Sequence, residues 1–143
     1  MSSNKDVVAI FWEGIRTRNW EACVEVLGAD FKRIGMRHGG PDTISGRDNY
    51  KAFLEHVVPT FTQWYMEAKR ITWAADGRSA VAECVETIQP TSAAEVLVMH
   101  ELVEATLDDH GLIGRLDLYF KIPHPLPEWV VQANSNKGNT GTD

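Results

Sequence analysis

"TQWYMEAKRITWAADGRSAVAECVETIQP", Thr62 to Pro90, decides how the rest of the chain is read. Two runs rich in β-branched and aromatic residues flank Asp76-Gly77, a pair suited to the positive φ of a tight hairpin turn. In the second run Ala82, Cys84, Glu86 and Ile88 fall on one face, and Glu83, Val85 and Thr87 on the other. The stretch predicts an antiparallel hairpin. It also sets one carboxylate, Glu86, on a face of small apolar residues.

Towards the C-terminus the same period continues. "TSAAEV" reads as a connection, "VLVMHELVEATL" as a strand, "DDHG" as a turn and "GLIGRLDLYFKIP" as the last strand. That last strand puts Leu116, Leu118 and Phe120 on one face and Arg115, Asp117 and Tyr119 on the other. Aspartate is depleted in strands because its short carboxylate packs poorly and resists desolvation. Asp117 is therefore either a working carboxylate or a charge facing water or a subunit interface.

Towards the N-terminus the period is helical. Ser3 and Asp6 approximate a capping box, and Val7, Ile10, Phe11, Gly14 and Ile15 recur at helical spacing. Asn19 suits the N-cap of a second helix, "WEACVEVLG", closed by Gly28. "ADFKRIGMRH" reads as a strand entering a loop, and "HGGPDTISG" as irregular. Ser45 and Asp48 start a third helix. Its apolar stripe is Tyr50, Phe53, Leu54, Val57 and Val58, and Pro59 stops it.

Helices first and antiparallel strands second predict an α+β fold, with the helices packed on one face of a strongly curved antiparallel or mixed sheet. Such a sheet forms a cone around a cavity, the default place for a ligand. Residues 1–125 are expected to form this single domain. Residues 126–143 are expected to be a docked segment followed by a disordered end.

The 143 residues are 43% hydrophobic and 24% charged, with a formal net charge of −6. An acidic balance without a basic stripe argues against binding nucleic acid or an anionic membrane. No run is long enough to cross a bilayer, and "MSSNKDVVAIF" lacks the form of a secretory signal. Cys23 and Cys84 read as two reduced core thiols, which fits the cytoplasm. His38, His56, His100, His110 and His124 show no metal-ligand spacing, and no phosphate-cradling or nucleophile motif occurs. No cofactor is expected.

The chain resembles the SnoaL-like branch of the nuclear transport factor 2-like superfamily. The likeness covers most of residues 5–122. It rests on "FWEGIRTRNWEACVEVLGADF" and "ISGRDNYKAFL" for the helices, and "ITWAADGRSAVAECVETI" for the central hairpin. "ATLDDHGLIGRLDLYF" resembles the closing pair, with its Gly-x-Ile turn and Tyr-Phe ending. The superfamily holds ketosteroid isomerases, limonene epoxide hydrolase, polyketide cyclases, fungal meroterpenoid isomerases, scytalone dehydratase and plain binding modules, and fold does not choose among them. The general-base aspartate of ketosteroid isomerase falls near Met36 and its helix tyrosine near Phe11, so that machinery is missing. Of the epoxide hydrolase set, the first aspartate falls on Glu86, the arginine on Cys84, and the last aspartate on Leu118, one place from Asp117. A bulge in the last strand would be needed to bring Asp117 inward.

Four residues are the candidates for proton transfer. Glu86, among small apolar neighbours, would be poorly solvated, which suits a general acid or base. The resemblance phases Glu101 onto the cavity face with Met99 and Val103, where it could pair with Glu86 and divide the roles of acid and base. Asp117 joins them only if the strand shifts. His38 stands beside Gly39-Gly40, where loops border the cone mouth, and could shuttle protons. Phe11, Met36, Phe53, Trp64, Met99 and Leu118 would line an apolar substrate site, with Trp12 and Trp73 as further wall or core.

The expected function is a cofactor-independent acid–base enzyme for a hydrophobic terpenoid- or polyketide-like metabolite, of isomerase or cyclase type. An epoxide hydrolase and a non-catalytic binding or assembly module are the alternatives. Val96, Val98, His100 and Leu102 on the outer face predict a homodimer through the sheet, as the family commonly forms.

Overall fold

The computed structural model describes residues 4–35, 40, 42–123 and 125–132. The first helix, α1 (Asn4–Thr17), buries Val8, Phe11, Trp12 and Ile15, one face of a 3.6-residue period. It ends in a Schellman arrangement: Arg18 N donates to Ile15 O at 3.3 Å and Asn19 N to Gly14 O at 2.9 Å. Arg18 takes the left-handed conformation there, with φ 60°. Its guanidinium donates to Trp64 O at 2.8 Å and lies over the Trp20 ring, which holds the unusual backbone in place. Asn19 then caps α2 (Trp20–Glu25), accepting from Ala22 N at 3.2 Å. Gly14 lets the two helices approach, since a Cβ there would stand 2.6 Å from Cys23 Sγ.

Gly28 does not close α2. The helix stops at Glu25, and Gly28 lies within β1 (Leu27–Ile34). Pairing of Leu27 with Ile113 captures the chain at that point, and a Cβ on Gly28 would collide with Asp108. Long-range pairing overrides the local helical spacing. In the stretch expected to be irregular, β2 (Ile44–Ser45) makes a short antiparallel pair with Lys32 and Arg33.

The third helix, α3 (Arg47–Ala52), continues into a π turn over Phe53–Val57 and a 3-10 turn over Val58–Thr60, where Pro59 sits. Tyr50, Leu54 and Val58 are buried, but Val57 is exposed. The wider π turn inserts one residue per turn and rotates Val57 off the predicted stripe.

The hairpin is β3 (Gln63–Trp73) and β4 (Ser79–Gln89), followed by β5 (Leu97–Leu107) and β6 (Ile113–Lys121). Asp108 shapes the last turn by accepting from His110 N at 2.8 Å and Leu112 N at 3.0 Å. The sheet order is β2-β1-β6-β5-β4-β3, parallel only between β1 and β6. It is one open, mixed sheet with the helices on its inner face.

Two clusters fill the inner side. The larger joins α1, α2 and α3 to Ala80, Ala82, Val103, Ala105 and Leu116. The smaller sets Val130, Leu126 and Trp129 of the C-terminal segment on Leu97, Met99, Ile88 and Phe120. Residues 128–132 form a short helix, α4. Residues 133–143 lie outside the described residues, as do Ser3 and the side chain of Asp6.

Candidate active site

The inner face of the hairpin reads Ala80, Ala82, Cys84, Glu86 along β4, all buried. The facing positions on β5 are Val103, Glu101, Met99 and Leu97, also buried. Cys84 pairs with Glu101 and Glu86 with Met99, so Glu86 and Glu101 are diagonal neighbours on one face.

Glu86 is 8% exposed and has one firm partner: Trp64 Nε1 donates to its Oε2 at 2.8 Å. Glu101 is 3% exposed, and no donor among the described residues reaches either of its oxygens. Burial pushes its carboxyl up to about 10, and the neighbouring Glu86 carboxyl pushes the same way. Arg33 opposes them. The pair sets two acids side by side on a dry strand face, and burial favours the protonated form of Glu101.

Around Glu86 lies a small void walled by Phe11, Trp12, Arg33, Tyr50, Trp64, Met66 and Leu118, among others. Its volume is about 20 Å³, room for one water and not for a terpenoid. The sheet and its helices match the cone-shaped fold that the sequence predicts, and this void lies on its inner side. Trp12 Nε1 and Arg33 Nε are buried, and neither has a partner among the described residues. Arg33 is fixed by its Nη2, which donates to Asp42 O at 2.7 Å, and by the Phe53 ring, 5.0 Å from its guanidinium carbon. Burial also pushes the Tyr50 phenol up.

Several expected residues stand elsewhere. Asp117 does not face the void. Its strand pairs in unbroken register from Leu118–Val103 to Arg115–Thr106, and the only irregularity recorded between β5 and β6 lies beyond, at Thr106 and Leu107. Leu116 and Leu118 point inward, while Asp117 accepts two bonds from Arg115 on the outer side, from Nε at 2.7 Å and Nη2 at 2.9 Å. Met99 packs under Val130 in the smaller cluster, and Phe53 stacks beneath Arg33 beside the larger one. Phe11, Trp64 and Leu118 do wall the void. His38 and Met36 lie outside the described residues.

Arg33 and Tyr50 escaped the reading of the sequence as site residues. Arg33 could have been found, because it alternates with Phe31 along β1 and so shares its inward face. Tyr50 was assigned to a helix stripe, which is correct but hid its hydroxyl. Among the described residues no group of three or more His, Cys, Asp or Glu is placed to hold a metal. Cys23 and Cys84 are free and buried, and burial pushes the Cys23 thiol up to about 12.

The outer face differs in character. His100, Leu102, Tyr119 and Lys121 border an open groove of about 590 Å³, with Lys69 and Glu83 at its side. Val98, Leu102, Tyr65 and Tyr119 are exposed there. No helix is long and apolar enough to cross a membrane among the described residues.

Helices on an open mixed sheet, with polar groups gathered on the concave side, define the nuclear transport factor 2-like fold. No family model and no curated relative matches the chain. Solved structures do. One is a Mycobacterium tuberculosis protein in complex with estradiol-17beta-hemisuccinate, at 13% identity and TM-score 0.68, over 84% of this chain and 95% of that one. Another is the Δ5-3-ketosteroid isomerase of a Mycobacterium species, at 16% and 0.66, over 84% and 95%. A third is SalBIII, an epoxide hydrolase/cyclase-like enzyme of pyran ring formation in the polyether salinomycin, at 16% and 0.66, over 82% and 90%. At these identities the likeness is one of fold.

Proposed function

We propose that the chain is a cofactor-independent acid–base catalyst for a hydrophobic small molecule, of isomerase or cyclase type. The observation that carries this reading is the Glu86–Glu101 pair, two buried carboxyls diagonal on the inner face, with Trp64 fixing one of them. Glu86 takes a proton from carbon or oxygen, and Glu101 holds the proton that is returned through it. Trp12, Tyr50 and Arg33 surround the position where charge would develop. The steroid- and polyether-related neighbours support a hydrophobic ligand. The ligand's carbon frame extends from the void past the partly exposed Met66 and Leu118 side chains.

A second reading, a non-catalytic binding or assembly module, draws on the small volume of the void beside Glu86. The epoxide hydrolase alternative draws on less, since Asp117 is bound to Arg115 and a thiol occupies the arginine position. We further propose a homodimer through the exposed Val98, Leu102 and Tyr119 face, in a cytoplasmic protein with reduced thiols. A purely monomeric mass by light scattering at micromolar concentration would remove the dimer.

The test of activity follows deuterium exchange at the α-carbons of 2-tetralone and ring opening of cyclohexene oxide. The parent should accelerate exchange, and Glu86→Gln should slow it about 100-fold or more. Equal rates for parent and variant on both compounds end the enzyme reading. Ring opening by the parent would revive the hydrolase.

A further inference from the structure

After β6 the chain passes Pro123, Pro125 and Pro127 and turns back over the inner face as α4. Proline donates no backbone hydrogen bond, so this stretch is unsuited to extend the sheet. Its apolar side chains land instead on one trough: Val130, Leu126 and Trp129 pack on Leu97, Met99, Ile88 and Phe120. Strand register says what borders that trough. Met99 is the partner of Glu86, and Phe120 the partner of Glu101. Met66, Glu86 and Met99 follow one another across three strands, so the row that begins at the wall of the void ends under the C-terminal segment.

The hold on that segment is slight. The side-chain hydrogen bond that ties it down runs from Trp129 Nε1 to Glu95 O at 2.9 Å, in the connection between β4 and β5. The backbone bonds of α4 are local, from Val130 N and Val131 N to Pro127 O at 3.0 and 3.4 Å. Beside the trough, Glu101 keeps both oxygens buried without a partner among the described residues. A carboxyl in that position gains free energy when water or a polar ligand atom reaches it, which favours an opened state.

We propose that residues 126–132 are a displaceable cap, and that an uncharged aromatic or alicyclic ligand binds the inner face by taking the places of Leu126, Trp129 and Val130 on the trough. The C-terminal segment is then an internal competitor for the site. Ligand affinity is reduced by the fraction of molecules in which the cap is closed, and whatever loosens the cap raises it. Two acidic side chains border the trough, so a hydrophobic anion is a poor occupant. A lifted cap joins the trough to the void along the row Met66, Glu86, Met99. The cap rests on the acid–base reading for its use in a reaction and not for its displacement.

Two probes of one frame test it on the full chain: N-phenyl-1-naphthylamine, which is uncharged, and 8-anilino-1-naphthalenesulfonate, the same frame with a sulfonate. Fluorescence titration should show Trp129→Ala and Val130→Ser binding the uncharged probe about tenfold tighter than the parent, because a weakened cap competes less. Circular dichroism checks that each variant folds, and one folded variant suffices. In protein carrying 5-fluorotryptophan, the Trp129 fluorine signal is the one missing from Trp129→Phe. Saturating uncharged probe should move it to the position of a solvated indole. Unchanged affinity in the folded variants, or an unmoved signal with the probe bound, overturns the cap. A sulfonate probe that binds as tightly and moves the signal as far overturns the ligand class. Deuterium exchange on 2-tetralone with an unmoved signal sinks the cap and leaves the acid–base reading. A displaced cap without exchange does the reverse.

Discussion

Glu86 and Asp117 are equally buried, each 8% exposed, yet the fold gives them opposite surroundings. Asp117 lies on the outer side of β6 and is gripped by the fork of Arg115. Glu86 lies on the inner side of β4 with an indole on one oxygen and a second carboxyl diagonally across. The comparison teaches that burial alone does not make a carboxylate reactive. The Arg115 guanidinium occupies both oxygens of Asp117. A dry strand face and a neighbouring buried acid instead push the carboxyl of Glu101 up.

The largest effect is expected where the contrast is sharpest. Trp64→Phe removes the one firm donor on Glu86, freeing that oxygen to turn away. Exchange on 2-tetralone should fall about tenfold, in line with the loss of a hydrogen bond to a charged group. An unchanged rate would show that the indole does not position the carboxylate.

Glu101→Gln comes next and acts on stability. In the unfolded chain Glu101 ionises near its ordinary value of 4.5; folded, it holds its proton to about 10. The folded state binds more protons across that window, so stability is full below 4.5 and falls as pH rises towards 10. Glutamine copies the protonated form and removes this dependence. Thermal melts should show the variant more stable than the parent at pH 8, by about 3 °C or more, and equal to it near pH 4. A parent no less stable than the variant at pH 8 would place the proton elsewhere.

Asp117→Asn should do least. Arg115 keeps nearly half its side chain in water, so the pair contributes on the order of 1 kcal/mol or less. Melting should drop slightly, and exchange on 2-tetralone should match the parent. A large loss of exchange would erase the distinction between the two faces.

Much of this molecule was legible in one dimension. The strand period placed Glu86 with Ala82 and Cys84, and set Leu118 inward and Asp117 outward. The Asp76-Gly77 turn, the Asn19 cap and the Pro59 stop all mark real boundaries, because each acts through its own backbone. Gly28 was misread as a helix end because its role is to make room for Asp108, eighty residues on. Val57 was misread because a π turn leaves no local signature in a helical stripe.

Sequence by itself determined the fold class, the alternation of faces and the absence of basic or motif-bearing stretches. Those properties follow from periods of two and 3.6 and from composition, which need no partner. Tertiary structure alone decided that Arg33 and Trp12 border the same void as Glu86, and that Gly28 makes room for Asp108. Such facts depend on register between strands and on the volume left between packed side chains, and neither quantity is written in any single segment of the chain.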